Sequence, residues 1–184
     1  MPFVEAPEES ELYDEARTAN GYVPNMVRAF ALRPAAFRAW QQLNAAIKAT
    51  SDLRRYELAT LAAARRLRSS YCCLAHGKIL VEQFYDADAV VRLPDGLDEA
   101  DRAIMAFAAK VVDDAGSITQ DDVDVLRRLG LSDPEIVDVV LAAAARCFFS
   151  KTLDALGALP DAAYESLEPQ LREAMTVGRP IATA

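Results

Sequence analysis

The sequence predicts an all-α fold in a single domain, and three observations carry that prediction. Alanine and leucine are abundant, while alternating runs of β-branched residues are nearly absent. Apolar residues recur at spacings of three and four in segment after segment. Helix start and stop signals punctuate the chain at short intervals, with no linker and no low-complexity stretch between them. The 184 residues suffice for one domain with a real hydrophobic core.

Residues 1–8 read as a loose start. Glu8–Ala19 is expected to be the first helix, stopped by Asn20-Gly21. Pro24 and Pro34 each stand where a helix begins. After Pro34, the residues Phe37, Trp40, Leu43 and Ile47 form an amphipathic stripe. Ser51 or Asp52 caps a helix running to about Arg68, with Leu53, Leu58, Leu61, Ala62 and Leu67 on its apolar positions. Ser69-Ser70 interrupts the pattern, and a new helix runs from about Tyr71 to Phe84. Asp86–Gly96 holds a short element and a Pro94-Asp95-Gly96 turn. Asp98 caps Glu99–Val112, and Thr119 caps Gln120–Leu129, stopped by Gly130. Ser132 and Glu135 have capping-box spacing around Pro134, opening a long helix to Leu156 that ends at Gly157. A last helix, Ala162–Met175, leads into a polar tail over 176–184. The count is roughly eight helices joined by short loops.

Composition bounds the chemistry. The net charge of −8 argues against a nucleic-acid binder. No apolar run approaches the ~20 residues of a membrane span. The first residues are acidic, unlike a signal peptide. Three cysteines without a secretion signal point to a cytoplasmic protein with free thiols. One His and three Cys, two of them adjacent, do not suit a four-ligand structural zinc site. Any catalytic histidine is His76. Asp113-Asp114 and Asp121-Asp122-Asp124 lack the order of a calcium loop and read as caps and solvated faces.

Cys72 and His76 lie four residues apart, on one face of a helix. With Ser69 as N-cap, Cys72 is the third helical residue, where the dipole and free amides favour a thiolate. A histidine one turn on accepts or relays the thiol proton. The same spacing also suits a buried thiol and a hydrogen-bonded core histidine. Ser69 reads mainly as a capping residue, and only with a base nearby as a nucleophile. Glu57, in one continuous helix, would stand about 18 Å from Ser69. It reaches the thiol or His76 only if the chain turns back near Arg68–Ser70 or another subunit supplies it. Tyr71 donates a hydrogen bond or wedges the turn, with packing favoured. Arg65, Arg66 and Arg68 read as a solvated face, with inter-subunit pairing or attraction of an anionic substrate as the alternatives. Cys73 points away from Cys72, and adjacent cysteines cannot form a disulfide in a regular helix. Cys147, beside Phe148 and Phe149, reads as a core thiol.

Glu57, eleven residues, then Ser69-x-x-Cys72-x-x-x-His76 resembles the motif of the AhpD-like alkylhydroperoxidase and carboxymuconolactone decarboxylase superfamily. Its peroxidase members carry Glu, eleven residues, then Cys-x-x-Cys-x-x-x-His. Gly21-Tyr22-Val23-Pro24-Asn25, the segment from Asp98, Ser117-Ile118-Thr119, the segment from Gly130, and Asp154-Ala155-Leu156-Gly157 are similar to the peroxidase-related subgroup. The likeness spans roughly residues 10–160. It implies an AhpD-like helical bundle, assembly into homo-oligomers, and a thiol-dependent hydroperoxide reductase needing no metal, haem or flavin. Cys72 would be the nucleophile, His76 the base or relay, Glu57 its carboxylate partner, and Ser69 the cap. The family's first thiol is Ser69 here, so the dithiol–disulfide cycle cannot run at those two positions. An external thiol would then reduce oxidised Cys72. The resemblance also allows a lactone-acid decarboxylase, which needs a base and a carboxylate-binding Arg or Lys, or a non-catalytic oligomer with a decayed site.

Overall fold

The computed structural model describes residues 2–183, so Met1 and Ala184, the outermost residues of the expected loose ends, lie outside the described residues. Ten α-helices follow one another: α1 Glu11–Asn20, α2 Asn25–Phe30, α3 Pro34–Thr50, α4 Leu53–Arg66, α5 Ser70–Gln83, α6 Ala87–Arg92, α7 Glu99–Asp114, α8 Gln120–Arg128, α9 Asp133–Ala155 and α10 Pro169–Met175. Eight have seven residues or more; α2 and α6 are single short pieces of six. No strand occurs among the described residues.

The expected caps do their work at most starts. The carboxylates of Asp52 and Asp98 accept amides three residues on, from Arg55 and Asp101, and Asp86, not foreseen as a cap, does the same for Ala89. At α8 and α9, Asp122 and Glu135 reach back to the amides of Thr119 and Ser132. The first helix starts three residues later than expected, because Ser10 accepts the amide of Leu12. The last helix divides: Ala162–Ser166 is a short 3-10 turn, and α10 starts afresh at Pro169. A proline ring cannot continue a helix already formed, but it suits a first turn.

Helix α4 is the hub. Its nine consecutive residues Tyr56–Ala64 are all buried, which requires neighbours all round. It packs against α5, α7 and α9, while α3 lies on α9 and α10 on α5 and α6. Asp101 of α7, fully buried, pairs with Arg54 and Arg55 of α4, and Arg55 pairs with Glu135 of α9. Between α4 and α5 the chain reverses through Leu67, Arg68 and Ser69, with Arg68 in the left-handed region at φ 54°. The C-terminal tail seals this turn. The Gly178 amide donates to Ser70 Oγ at 2.8 Å, and a Cβ on Gly178 would meet the Arg68 carbonyl oxygen at 2.0 Å.

Two surface expectations need correction. Leu43, placed on the apolar stripe of α3, is exposed, and Asn44 faces inward instead. Arg65 is not on a solvated face: its guanidinium donates to the carbonyls of Val90 and Leu93 and closes the C-terminal end of α6. Arg66 is exposed and pairs with Asp113. Among the described residues no helix is long and apolar enough to cross a membrane.

Candidate functional site

The reversal at Arg68 folds α5 back along α4 and brings Glu57 to His76 within one chain. Glu57 Oε2 lies 2.5 Å from His76 Nδ1, and both side chains are buried. The other carboxylate oxygen accepts from Lys48 Nζ of α3 at 2.9 Å. Burial, reinforced by the nearby Arg146 charge, pulls the imidazole down to about 4 against the opposing pull of Glu57. Burial alone would raise Glu57, but its bonds to His76 and Lys48 outweigh this, and its carboxyl stands below the ordinary range. The pair at neutral pH is therefore carboxylate and neutral imidazole. Nδ1–H donates to Glu57, which leaves Nε2 unprotonated and able to take a proton.

One turn before His76, Cys72 is the third residue of α5 and only 1% exposed. Its sulfur accepts the Ser150 hydroxyl at 3.1 Å and Nη1 of Arg146 at 3.5 Å. Ser150 and Arg146 are one turn apart on α9 and so share a face. Arg146 is itself only 3% exposed. Among the described residues it has no carboxylate partner, and its Nε has no acceptor at all. Its guanidinium lies over the rings of Phe149 and Trp40, 5.4 and 6.0 Å from their centroids. Burial works against the charged guanidinium, yet the Cys72 sulfur and the Tyr56 hydroxyl beside it more than offset this, and the cation persists. The guanidinium and the hydroxyl are placed to stabilise negative charge as it develops on the sulfur.

Helix α3 closes the site from outside with one stripe. Trp40, Asn44 and Lys48 stand at successive turns. Trp40 stacks on Phe149 with centroids 3.9 Å apart. Asn44 accepts the Tyr56 hydroxyl at 2.6 Å, and Lys48 holds Glu57 while lying over the Tyr56 ring. The indole N–H of Trp40 is buried without an acceptor.

Sequence reasoning did not single out Arg146, Ser150, Lys48, Asn44 or Tyr56. For Arg146 a signal existed. Ile136, Val139, Ala142, Ala143, Phe149 and Leu153 recur at spacings of three and four in the sequence, and Arg146 falls on the same face, which is the buried face of α9. The decarboxylase alternative called for a base with an Arg or Lys; Lys48 is bound to Glu57, and Arg146 lies against the thiol.

Ser69 occupies the N-cap position of α5, but its hydroxyl makes no capping bond, contrary to expectation. The Asp154 carboxyl feels that hydroxyl electrostatically, yet no acceptor meets it at hydrogen-bond geometry, and it is fully buried. Cys73 is fully buried, and burial together with the adjacent Cys72 pushes its thiol up to about 12. Cys147 is partly buried, about 100° around α9 from Arg146. All three cysteines are free thiols. Tyr71 does more than pack: its hydroxyl donates to Asp161 at 2.5 Å and accepts the Met26 amide, while Asp161 also accepts the Asn25 amide. The segment Gly21–Asn25 is thereby tied to the start of α5. No cluster of three potential metal ligands occurs among the described residues.

No family model matches the sequence, and no curated protein matches it significantly. Solved structures do match. A peroxidase-related protein from Silicibacter sp. TM1040 superposes with a TM-score of 0.80 at 22% identity, over 90% of this chain and 94% of that one. The alkylhydroperoxidase AhpD core protein from Ralstonia eutropha JMP134, also peroxidase-related, gives 0.73 at 25% identity over 84% and 85%. A cysteine-to-alanine variant of the debrominase Bmp8, bound to 2,3,4-tribromopyrrole, gives 0.75 at 17% identity over 94% and 97%. The chain has the AhpD-like fold, shared by peroxidase-related proteins and a debrominase.

Proposed function

We propose that this AhpD-fold protein is a thiol-dependent hydroperoxide reductase with Cys72 as its single redox thiol. The observation that carries the reading is the Cys72 sulfur, held by a buried guanidinium and a hydroxyl at a helix N-terminus, one turn from the Glu57–His76 pair. In the first half-reaction the Cys72 proton passes to Nε2 of His76, and the thiolate attacks the terminal oxygen of ROOH. The S–O bond forms as the O–O bond breaks, and His76 returns the proton to the leaving alkoxide. The products are Cys72 sulfenic acid and ROH. Glu57 orients the imidazole and balances its transient charge. Because Ser69 replaces the first thiol of the family motif, reduction comes from outside. One external thiol condenses with the sulfenic acid, giving a mixed disulfide and water. A second releases Cys72 and the external disulfide.

A peroxide assay with an external thiol tests this on wild type, Cys72→Ser and Ser69→Cys. Turnover is expected in wild type and none in Cys72→Ser. A silent wild type with turnover appearing only in Ser69→Cys would mean a decayed site. Activity surviving in Cys72→Ser would remove the thiol mechanism.

The fold shared with a debrominase, together with the lone thiol, favours a second reading in which Cys72 acts on a carbon–halogen bond. A halopyrrole tested beside the peroxides separates the two. We also propose a homo-oligomer. Val137, Leu141 and Phe148 line one exposed face of α9, and Leu43 of the adjoining α3 is exposed as well.

A further inference from the structure

Two buried donors at the site have no acceptor among the described residues: Nε of Arg146 and Nε1 of Trp40. They belong to one cluster, since the guanidinium lies over the indole ring. A buried N–H without an acceptor costs about 1–3 kcal/mol, and more for a charged group. With Cys72 as a neutral thiol, the site's charges also fail to cancel. Lys48 balances Glu57, His76 is neutral, and Arg146 is one cation in excess. The missing partner is therefore an acceptor, and an anionic one suits both the open bonds and the open charge.

We propose that Arg146 Nε and Trp40 Nε1 receive a carboxylate of the substrate, so that the group attacked by Cys72 is carried by an organic acid. This rests on the reading of Cys72 as nucleophile. The geometry limits the acid as well. Nη1 of the same guanidinium is already in contact with Sγ at 3.5 Å, so carboxylate and reacting atom are separated by only a few bonds. Neutralising Arg146 has a second effect, because its charge is one of the causes holding the imidazole down. A bound carboxylate lifts that opposition and lets His76 take the thiol proton, so the acid readies the base that acts on it. Entry is through α3, which carries Trp40 and buries only Phe37 and Ile47 fully among its seventeen residues.

The test uses two small electrophiles that differ in the recognised group and need no peroxide turnover. Iodoacetate and iodoacetamide both place a methylene on sulfur with loss of iodide; only the first carries a carboxylate. Native protein and urea-unfolded chain are alkylated at one pH, and modification of Cys72 is read by peptide mass mapping. The ratio of iodoacetate to iodoacetamide rates is expected to be about tenfold higher in the native protein than in the unfolded chain. The iodoacetate rate should saturate, and benzoate should protect where benzamide does not. Trp40→Phe keeps the cation but removes one N–H, and lowers the ratio severalfold. Arg146→Gln brings it to the unfolded value. A native ratio no higher than the unfolded one, equal protection by benzoate and benzamide, or no native alkylation of Cys72 at all overturns the proposal. A raised ratio that neither saturates nor responds to Trp40→Phe does so too, since long-range attraction alone would explain it. The two readings fail separately: carboxylate selectivity without peroxide turnover removes the reductase, and turnover without selectivity removes the carboxylate site.

Discussion

At the scale of single residues, the balance among Glu57, His76 and Arg146 fixes how the protein meets acid. His76 stands at about 4 in the folded chain against an ordinary 6.5. Between those values the unfolded chain binds a proton that the folded one does not, so stability rises with pH across the window and is lost as pH falls through it. The full effect is about 3 kcal/mol. Glu57 adds in the same direction at lower pH: its depressed carboxyl stabilises the fold above the ordinary 4.5, and this is lost in stronger acid. His76→Gln should therefore lose less in melting temperature between pH 7 and pH 5 than wild type, as scanning calorimetry would show; parallel losses would contradict the assignment. Glu57→Gln should cut peroxide turnover by about a hundredfold through loss of imidazole orientation and charge balance. The pairing of Glu57 with His76 was legible through the family resemblance, because a lone helical glutamate otherwise reads as solvated and the sequence left open whether the chain turns back or another subunit supplies it. Arg146 was not, because seventy-four positions separate it from Cys72 and only tertiary packing makes them neighbours.

Elements meet the site through their ends. Asp161, in the segment before α10, takes the Asn25 amide at the start of α2 and the Tyr71 hydroxyl of α5. Asp161→Ala leaves the buried Tyr71 hydroxyl and the half-buried Asn25 amide without this acceptor and should cost about 1–3 kcal/mol in urea unfolding. Because Tyr71 adjoins Cys72, the same substitution should change Cys72 alkylation, whereas loss of a remote cap such as Asp86 should not. Gly178→Ala forces a methyl into the Arg68 carbonyl and should lift the tail from the α4–α5 turn, costing about 1–3 kcal/mol and exposing the turn to limited proteolysis. Helix limits were readable at the side-chain caps Asp52 and Asp98, whereas the Ser10 cap went unseen. Ala162–Met175 is two elements and not one helix, because Pro169 suits a first turn and cannot continue a helix already formed. Ser69 shows the opposite error: the residue type suited a cap, but its hydroxyl faces a buried wall near Asp154 instead of the helix amides.

For the whole molecule, the all-α class followed from periodicity, but the arrangement did not. Nothing in the α4 sequence says that Tyr56–Ala64 would be enclosed on every side, because an alanine-rich helix can also lie on a surface. The exposed α9 face gives the molecule-scale prediction. Leu141→Glu with Phe148→Glu should convert the proposed oligomer to a monomer in light scattering, with little change in the far-ultraviolet spectrum. Trp40 is the chain's single tryptophan, and it lies face to face with Phe149 beneath the guanidinium that touches Cys72. All indole fluorescence of the protein therefore originates within the site. Oxidation of the thiol, arrival of a ligand or opening of α3 can each be followed as an emission change, in unlabelled protein and on the timescale of a stopped-flow mixer.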